Sequence, residues 1–556
     1  MTKLEKHNAT CVLARQLVLI LFIVSVGSGT AFAQKGFTPG NLVVSRSVYQ
    51  NAGNIVVGQT ELPPNCSAPS GSCTTPPTTA ISDGTYPYVW NNDSVDGSFG
   101  ITSVIFLDEI TTGGALVNTL EVPNSTQNGV PPTKDQMVTS FSSKSEVALN
   151  LSTDHSYITF MGYLAPVGAL DVSNANTAGA VDPTNPVGEN VYRVVAEVDQ
   201  KGKFKFTKTN AYSGNNGRAA ILNDSDGANV LYTAGNAGNG ANPQPDGIIT
   251  GTGMQIFTPE VKALVAQDPG DTTPLGSFNI TQLGDAADKI GKDTNFRGLT
   301  IFDNVIYTSK GSGSNGINTV YFIDSTGTVC NRSTGVGLPA SGATLPTAGI
   351  VYDTDPSVIQ AQGVVPYNMC VLNGFNTKTA KKTTNVFPFG IWFANPTTMY
   401  VADEGNGTAT FSSITMTYTA AAAQTTAGLQ KWVLESGVWV HVYTLQAGLQ
   451  LGVPYTVAGY PTGDNPATGL PWAPATDGLR NLTGSVSSDG STATIYAITS
   501  TVSGNGDQGA DPNKLVTITD NVAATSLPAG ESFTTLDAAG NLEVLRGVSF
   551  TPGTGN

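Results

Sequence analysis

A unit of four short strands is the feature that most constrains the fold of this chain. In its clearest copy, residues 389–393 and 398–402 flank a turn at Asn395-Pro396, and residues 429–434 and 438–445 flank a second turn. The strands are rich in apolar and β-branched residues, and Gly, Asn and Pro mark the turns between them. Four antiparallel strands in sequence order form one blade of a β-propeller.

The same plan can be placed on most of the chain at an irregular period, because the connecting loops differ in length. Further units are predicted at 146–151, 157–162, 192–199 and 203–209; at 218–222, 230–234, 254–258 and 277–281; at 297–302, 304–308 and 319–324, with an outer strand within 327–386; and at 482–487, 493–499, 514–520 and 532–536. Long loops are expected at about 50–100, 123–145, 163–190, 235–252, 327–386, 403–427 and 446–477.

The two ends of the chain complete this pattern. Residues 546–550 have the pattern of a first blade strand, and residues 42–47, 104–110 and 116–122 supply three matching strands. A blade shared between the termini would close the ring and leave no exposed edge strand. The sequence therefore predicts an all-β protein with a single β-propeller of six four-stranded blades over residues 34–556. Seven blades is the alternative, because 327–386 could contain one. The absence of a linker argues against a pair of β-sandwiches.

One blade also carries a resemblance. The sequence TMYVAD at 398–403, followed by GLQKW at 428–432, resembles the blades of exported bacterial β-propellers of the NHL/YncE-like kind. The resemblance extends over most of residues 37–553 and concerns architecture. Such propellers include binding scaffolds, lactonases and lyases, so the resemblance implies a fold and leaves the function open.

Residues 1–33 have the pattern of a secretory signal peptide, with a positive n-region, an apolar core at 17–26 and an AFA cleavage site at 31–33. The apolar run is shorter than the ~20 residues that a membrane-spanning helix needs. We therefore expect a secreted or periplasmic protein.

The charge of the chain limits its partners. The whole chain has a net charge of −15; without residues 1–33 it has 23 Lys and Arg against 40 Asp and Glu, a net charge of −17. Nucleic acids and anionic membranes require a large basic surface. We therefore expect neither as the main partner.

Four cysteines lie beyond residue 33: Cys66, Cys73, Cys330 and Cys370. An even number in an oxidising compartment indicates two disulfides, and Cys66–Cys73 with Cys330–Cys370 is the most local of three possible pairings. A metal site is the alternative, but the chain has no CxxC motif and few histidines, which favours disulfides.

Arginine is the residue type that points to a binding site. Four arginines each begin the predicted innermost strand of a blade: Arg218, Arg297, Arg480 and Arg546. Glu146 and Phe389 hold this position in the other two predicted blades. Because innermost strands surround the propeller axis, the guanidinium groups are expected to converge at one mouth of the central channel. Their planar forks are suited to carboxylate or phosphate.

Two interpretations of this cluster remain open. Each arginine could link its blade to the next through a carboxylate or a backbone carbonyl, or the group could bind an anionic ligand. The small residues that follow three of the arginines, Ala219, Gly298 and Gly547, suit close backbone approach in either case.

Other candidate groups give weaker signals. His155 lies in a turn and His441 in a strand, and neither has a neighbouring pattern typical of catalysis. The sequence NDSDG at 223–227 resembles the start of a calcium loop but lacks the downstream bidentate Glu. It also matches the turn at 488–490 of another predicted blade, which favours a simple hairpin turn.

The sequence thus predicts an exported, non-catalytic binding or interaction module for an anionic small molecule or glycan, with no required cofactor. The alternative is a secreted, metal-dependent hydrolase, lactonase- or phytase-like, with calcium as a candidate metal. That alternative needs several axial acids, and Glu146 is the one acid predicted at the axial position.

Overall fold

The computed structural model describes residues 36–50, 56, 59–62, 80–81, 100–131, 133–141, 143, 145–177, 190–236, 253–259, 276–278, 295–311, 317–331, 334–347, 369–380, 386–466, 468–505 and 508–555. Within these residues the chain forms six antiparallel sheets in a ring, each of them a propeller blade.

The strands of each blade follow from the innermost to the outermost. Blade 1 has Glu543–Phe550, Leu42–Val48, Thr102–Ile110 and Leu116–Glu121; blade 2 has Asn150–Leu151, Tyr157–Tyr163, Arg193–Asp199 and Phe204–Thr209; blade 3 has Gly217–Asn223, Val230–Gly235, Met254–Phe257 and Gly276–Phe278; blade 4 has Phe296–Phe302, Val305–Lys310, Thr319–Ile323 and Met369–Leu372; blade 5 has Pro388–Asn395, Thr398–Asp403, Gly428–Glu435 and Val438–Leu445; blade 6 has Ala475–Val486, Thr492–Val502, Lys514–Asn521 and Thr534–Ala538.

Smaller elements decorate the blades. Thr139–Ser140 pairs with blade 1, and Val336–Gly337 runs parallel to the outer strand of blade 4. The described residues also contain the hairpins Glu61–Leu62 with Ala80–Ile81 and Phe411–Ser412 with Thr417–Tyr418, the α-helical turn Thr419–Ala422, and the 3-10 turns Val172–Asn174, Ser225–Gly227 and Gln508–Ala510.

The predicted closure by a shared blade is confirmed. Glu543–Phe550, from the C-terminal part of the chain, pairs antiparallel with Leu42–Val48 from the N-terminal part. Each innermost strand contacts the innermost strands of both neighbouring blades, including blade 6 with blade 1 and blade 1 with blade 2. Six blades therefore close the ring. The alternative of seven blades is wrong.

Burial explains why the strands have these compositions. The second strands of the blades are covered on both faces by neighbouring blades, so Tyr157–Tyr163 and Thr398–Asp403 are buried almost throughout. The outer strands alternate or are exposed, as in Phe204–Thr209 and Thr534–Ala538. The core is consequently divided into wedges between adjacent blades. Between blades 4 and 5, for example, the Phe302 and Phe393 rings stack with centroids 4.6 Å apart.

A buried polar network joins blades 5 and 6. Lys431 Nζ lies 2.9 Å from Asp520 Oδ2, and both side chains are 0% exposed. Tyr443 donates a hydrogen bond of 2.7 Å to Asp520 Oδ1, and Tyr400 donates one to Oδ2. Lys431 also donates to the backbone carbonyl of Asn521, 2.6 Å away. A buried ion pair of this kind is tolerated because its hydrogen-bonding groups are paired with one another.

The innermost strand of blade 2 is shorter than predicted. The sequence predicts a strand at 146–151, and ladder pairing is limited to Asn150–Leu151. The preceding backbone bonds to other blades instead: the Val147 carbonyl accepts from Ser45 Oγ at 2.8 Å, and Ala148 N donates to the Arg218 carbonyl at 3.4 Å.

The Cys330–Cys370 disulfide is confirmed, with the Cα atoms 5.5 Å apart. It ties the segment after the third strand of blade 4 to the fourth strand. The predicted Cys66–Cys73 pair lies outside the described residues.

Candidate functional site

The four predicted arginines lie at the same level of the ring. Arg218 and Arg297 are near the beginning of their innermost strands, as predicted, whereas Arg480 and Arg546 lie inside longer strands, Ala475–Val486 and Glu543–Phe550. We call this level the arginine end of the channel. Backbones approach each other closely here: a Cβ atom on Gly298 would collide with the Phe389 carbonyl oxygen of the next blade, and one on Gly547 would lie 2.6 Å from the Val147 carbonyl oxygen. The glycines after Arg297 and Arg546 are therefore required by the packing of adjacent blades.

A serine in the second strand connects these close approaches. In blade 1, Gly547 N donates to Ser45 Oγ at 2.8 Å, and Ser45 Oγ donates to the Val147 carbonyl of blade 2 at 2.8 Å. Ser309 repeats the arrangement: it accepts from Gly298 N at 2.8 Å and donates to the Phe389 carbonyl of blade 5. The two relays hold neighbouring innermost strands in register.

Two of the arginines share one carboxylate. Arg297 Nη1 lies 2.6 Å from Glu404 Oε1, and Arg480 Nε lies 3.2 Å from Glu404 Oε2. The three side chains are 17%, 7% and 12% exposed, respectively, so the group is largely shielded from water. Burial lowers the pKa of Arg480, and Glu404 opposes that effect. Two cations thus share one directly bonded anion, and the charge of Asp477 also acts on Arg480.

Arg218 has no carboxylate in hydrogen-bonding contact among the described residues. Its Nη1 donates to the Phe296 carbonyl at 2.8 Å and to Asn295 Oδ1, both of blade 4. Its Nε and the Nε of Arg297 are buried and have no hydrogen-bond partner within the described part of the chain. Burial lowers the pKa of Arg218 to about 9, and the charge of Arg297 adds to the effect. The environment of Arg218 therefore disfavours its own charge.

Arg546 acts as a link between blades. Its Nε donates to Ser47 Oγ at 2.9 Å, and its two terminal nitrogens donate to the Ser143 and Phe141 carbonyls that precede blade 2. These contacts match the first of the two interpretations, a structural link through backbone carbonyls. For Arg297, Arg480 and Arg218 the contacts fit a link and a binding group equally well.

The two positions predicted to lack arginine behave differently from each other. Glu146 is fully buried and accepts from Thr139 Oγ1 at 2.7 Å, from Ser140 N at 3.0 Å and from the Tyr163 hydroxyl. Its carboxylate is thereby occupied within blades 1 and 2. The ring of Phe389 lies under the Arg297 guanidinium, 5.6 Å from its centroid, which is cation–π geometry.

Two further buried acids flank Glu404. Burial raises the pKa of Asp403 to about 7, against hydrogen bonds from the backbone N–H groups of Phe387 and Gly405. Burial likewise raises the pKa of Asp477 to about 6, although Gly407 N donates to it at 2.8 Å and Gln424 Nε2 at 2.6 Å. The arginine end therefore contains carboxyl groups that favour the neutral form more than usual.

The sequence did not place these acids near the arginines. Asp403 and Glu404 are at the end of the second strand of blade 5, and Asp477 is in the innermost strand of blade 6. The sequence shows that two acids are adjacent at 403–404. Their position beside arginines of blades 4 and 6 follows only from the closed ring. The serine at the middle of each relay also carried no signal of its own.

The other candidate residues have local structural contacts. His155 Nδ1 lies 2.8 Å from the Thr554 carbonyl, and His441 Nε2 lies 3.1 Å from Thr444 Oγ1. Asp224, in the calcium-like loop, accepts from Asp154 N at 2.9 Å and from Ser156 Oγ at 3.1 Å. This carboxylate joins the turn of blade 3 to that of blade 2.

One grouping of potential metal ligands occurs among the described residues: Asp324, Cys330 and Cys370. The two sulfur atoms are bonded to each other in the disulfide. Asp324 Oδ2 accepts from Val329 N at 2.9 Å and shapes the turn before Cys330.

The strand order and ring closure define a six-bladed β-propeller whose termini share one blade. No family model matches the chain, and no curated protein matches its sequence. In the part of the chain that is described, no helix is long and apolar enough to cross a membrane.

Proposed function

We propose that this chain is an exported, non-catalytic propeller that binds an anionic small molecule or an acidic glycan at the arginine end of its channel. The observation that carries the proposal is the small number of direct contacts between these arginines and carboxylates. Arg297 and Arg480 share Glu404, and Arg218 contacts no carboxylate among the described residues. Arginines with few direct carboxylate partners, in a protein of net charge −15, provide an environment suited to an incoming anion.

The hydrogen-bonding state of these groups supports the same proposal. Buried N–H donors are nearly always paired in folded proteins, and the Nε atoms of Arg218 and Arg297 are exceptions within the described residues. A carboxylate or phosphate can accept two parallel hydrogen bonds from one guanidinium. Binding would also add a directly bonded counter-charge to Arg218, on which Glu404 and Glu146 act without a hydrogen bond. In this proposal Arg546 mainly holds the mouth in shape, since its donors are used by Ser47 and two carbonyls.

Export belongs to the same proposal. The signal-peptide pattern of residues 1–33 and the resemblance to NHL/YncE-like exported propellers support a secreted or periplasmic location. In such a compartment the Cys330–Cys370 disulfide would be stable.

The test is calorimetric titration of the purified chain with citrate, inorganic phosphate and a glucuronate-containing oligosaccharide. We expect at least one of these anions to bind, and binding to weaken as salt is added. Arg218→Gln and Arg297→Gln should each weaken binding by about tenfold or more, since hydrogen bonds to charged groups contribute roughly 1.5 to 3 kcal/mol.

Arg46→Gln is the matched control. Arg46 is paired with Asp108 and Glu543 in blade 1, each at 2.6 Å, so its replacement removes an arginine without touching the arginine end. Unchanged affinity in the Arg218 and Arg297 variants, or a loss of equal size in Arg46→Gln, would contradict the proposal. Calcium-dependent thermal stabilisation would instead favour the hydrolase alternative.

A further inference from the structure

A second site lies beyond the arginine end, in the channel itself. The described residues enclose a cavity of about 740 Å³ that begins next to Gly298, Gly390 and Asn481 and extends to the C-terminal ends of the innermost strands. All six blades contribute to its wall. Its volume is in the range of small-molecule binding pockets. We call it the neutral cavity.

The charge of the cavity wall is the first clue to a ligand. Among the described lining residues, Asp303 and His155 are the only titratable side chains, and Asp303 is exposed. An anion that entered would lose hydration without an opposite charge to replace it, and a cation would meet only the exposed Asp303 carboxylate among the described lining residues. The wall therefore disfavours ionic ligands, in contrast to the arginine end.

The second clue is a set of unpaired hydroxyl groups. Thr300, Thr483, Ser485 and Ser549 line the cavity, and none of these hydroxyls has a hydrogen-bond partner among the described residues. At the arginine end, by contrast, the Ser45 and Ser309 hydroxyls are both paired. Asn481 adds an amide whose Nδ2 donates to the Arg546 carbonyl at 2.7 Å, while its Oδ1 has no such partner in the described part. A purely apolar ligand would leave these groups desolvated and unpaired, at a cost in affinity.

Aromatic side chains line the same cavity as the hydroxyls. Trp392, Phe302 and Phe550 are half-buried and border the cavity. Trp392 lies against Gly484, where a Cβ atom would come within 3.0 Å of its ring. Phe302 uses one face to stack on Phe393. Apolar ring edges and faces next to free hydroxyls complement a molecule that has C–H surfaces and many hydroxyl groups.

We infer that the neutral cavity binds an uncharged polyhydroxylated ligand, of the class of a short neutral oligosaccharide. Such a molecule pairs with the hydroxyls of blades 1, 4 and 6 and covers the aromatic surface, and it brings no charge into a wall that cannot match one. The site is separate from the anion site, so either can exist without the other.

The experiment is a titration of the purified chain with neutral gluco-, xylo-, manno- and chito-oligosaccharides, followed by ligand-observed NMR and calorimetry at millimolar concentrations. Glucuronate-bearing and sulfated counterparts serve as charged comparisons, and they are titrated into the Arg297→Gln variant so that binding at the arginine end does not contribute. We expect at least one neutral oligosaccharide to bind, and its charged counterpart to bind more weakly. Thr483→Val and Thr300→Val keep the side-chain shape and should each weaken binding by up to about tenfold, the equivalent of about 1.4 kcal/mol.

Two more variants make the result decisive. Thr494→Val is the control, because the Thr494 hydroxyl is paired with Thr519 on an exposed part of blade 6, outside the cavity. It should bind like the parent chain. Ser485→Trp adds a bulky ring at an exposed rim position and should abolish binding without affecting folding, checked by circular dichroism.

The inference is overturned if no neutral oligosaccharide binds, if charged counterparts bind equally well, or if Thr483→Val, Thr300→Val and Ser485→Trp all leave the affinity unchanged. Anion binding at the arginine end is measured separately with the Arg218 and Arg297 variants, so failure of one site is distinguishable from failure of the other.

Discussion

The two ends of the channel use the same six innermost strands for different purposes. At the arginine end, side chains are bonded to neighbouring blades, as Arg546 is to two carbonyls and Ser45 is to Val147. In the neutral cavity, hydroxyls such as those of Thr300 and Thr483 have no partner among the described residues. Side chains at the arginine end thus connect the blades, whereas polar side chains in the neutral cavity are available to a ligand.

The two ends of the channel also differ in the kind of polar group that they contain. The arginine end contains buried cations and acids whose charges depend on one another, and the neutral cavity is lined mostly by uncharged polar groups. Buried charges strongly affect stability when one partner is lost, whereas unpaired hydroxyls that contact solvent affect it little. The comparison therefore predicts a graded series of stability effects.

The largest effect is expected from the glycine after Arg297. Gly298→Ala places a methyl group against the Phe389 carbonyl, where there is no room, and we expect a loss of about 3 kcal/mol or more in the free energy of unfolding. Gly555→Ala is the control at the neutral cavity, since nothing lies within 4 Å of the added Cβ. Urea unfolding measures the free energy of unfolding of both variants. Equal losses would contradict the contrast between the two ends of the channel.

Removal of the shared carboxylate should have the next largest effect. Glu404→Gln leaves Arg297 and Arg480 without their counter-ion, and we expect a loss of about 3 kcal/mol, typical of a broken buried ion pair. Inorganic phosphate should raise the melting temperature of this variant more than that of the parent chain, because it can replace the missing charge.

The control is Glu435→Gln, at an exposed turn of blade 5. Equal melting temperatures for Glu404→Gln and Glu435→Gln would show that Glu404 does not hold the arginines. A stability loss that phosphate does not reduce would leave Glu404 structural and argue against anion binding there.

Sequence patterns predicted the ring well because each strand carries its own signal. The strand at 438–445 and the blade shared between the termini were found from local alternation and turns. The short ladder of blade 2 was not predicted, because Val147 and Ala148 bond to blades 1 and 3, and sequence does not record such partners.

The candidate site was predictable only in part for the same reason. A shared position in each repeat identified Arg218, Arg297, Arg480 and Arg546. Glu404 could not be assigned, because its two partners lie 107 and 76 residues away in sequence, on different blades. The neutral cavity depends on which hydroxyls lack a partner, and only the three-dimensional structure shows that.

A buried acid at the arginine end, Asp403, should also make the stability of the protein depend on pH. Burial raises the pKa of Asp403 from 3.8 to about 7, so the folded chain binds a proton more tightly than the unfolded chain. This contribution to stability is fully present below the unfolded pKa and is lost as pH rises through about 7. We therefore expect the contribution of this group to the free energy of unfolding to fall between about pH 4 and about pH 8.

Asp403→Asn tests this by removing the titrating group. Its cost in free energy of unfolding, relative to the parent chain, should be largest near about pH 4 and shrink towards about pH 8. Asp489→Asn is the control: hydrogen bonds from Ser487 and Ser491 lower the pKa of the exposed Asp489 to about 2, so it stays ionised over this range. A cost of Asp403→Asn that does not change with pH would contradict the assignment.

The smallest effects should come from removing one hydroxyl at each end. Ser45→Ala breaks the relay from Gly547 N to the Val147 carbonyl and leaves both groups buried, so we expect a loss of about 1 to 2 kcal/mol. Thr483→Val removes a hydroxyl that bonds to no described residue, and we expect a change within about 0.5 kcal/mol in the absence of ligand. Chemical unfolding of the two variants measures the difference directly. If Thr483→Val were as destabilising as Ser45→Ala, the Thr483 hydroxyl would have a structural partner, and the contrast between a bonded end and an available cavity would fail at that residue.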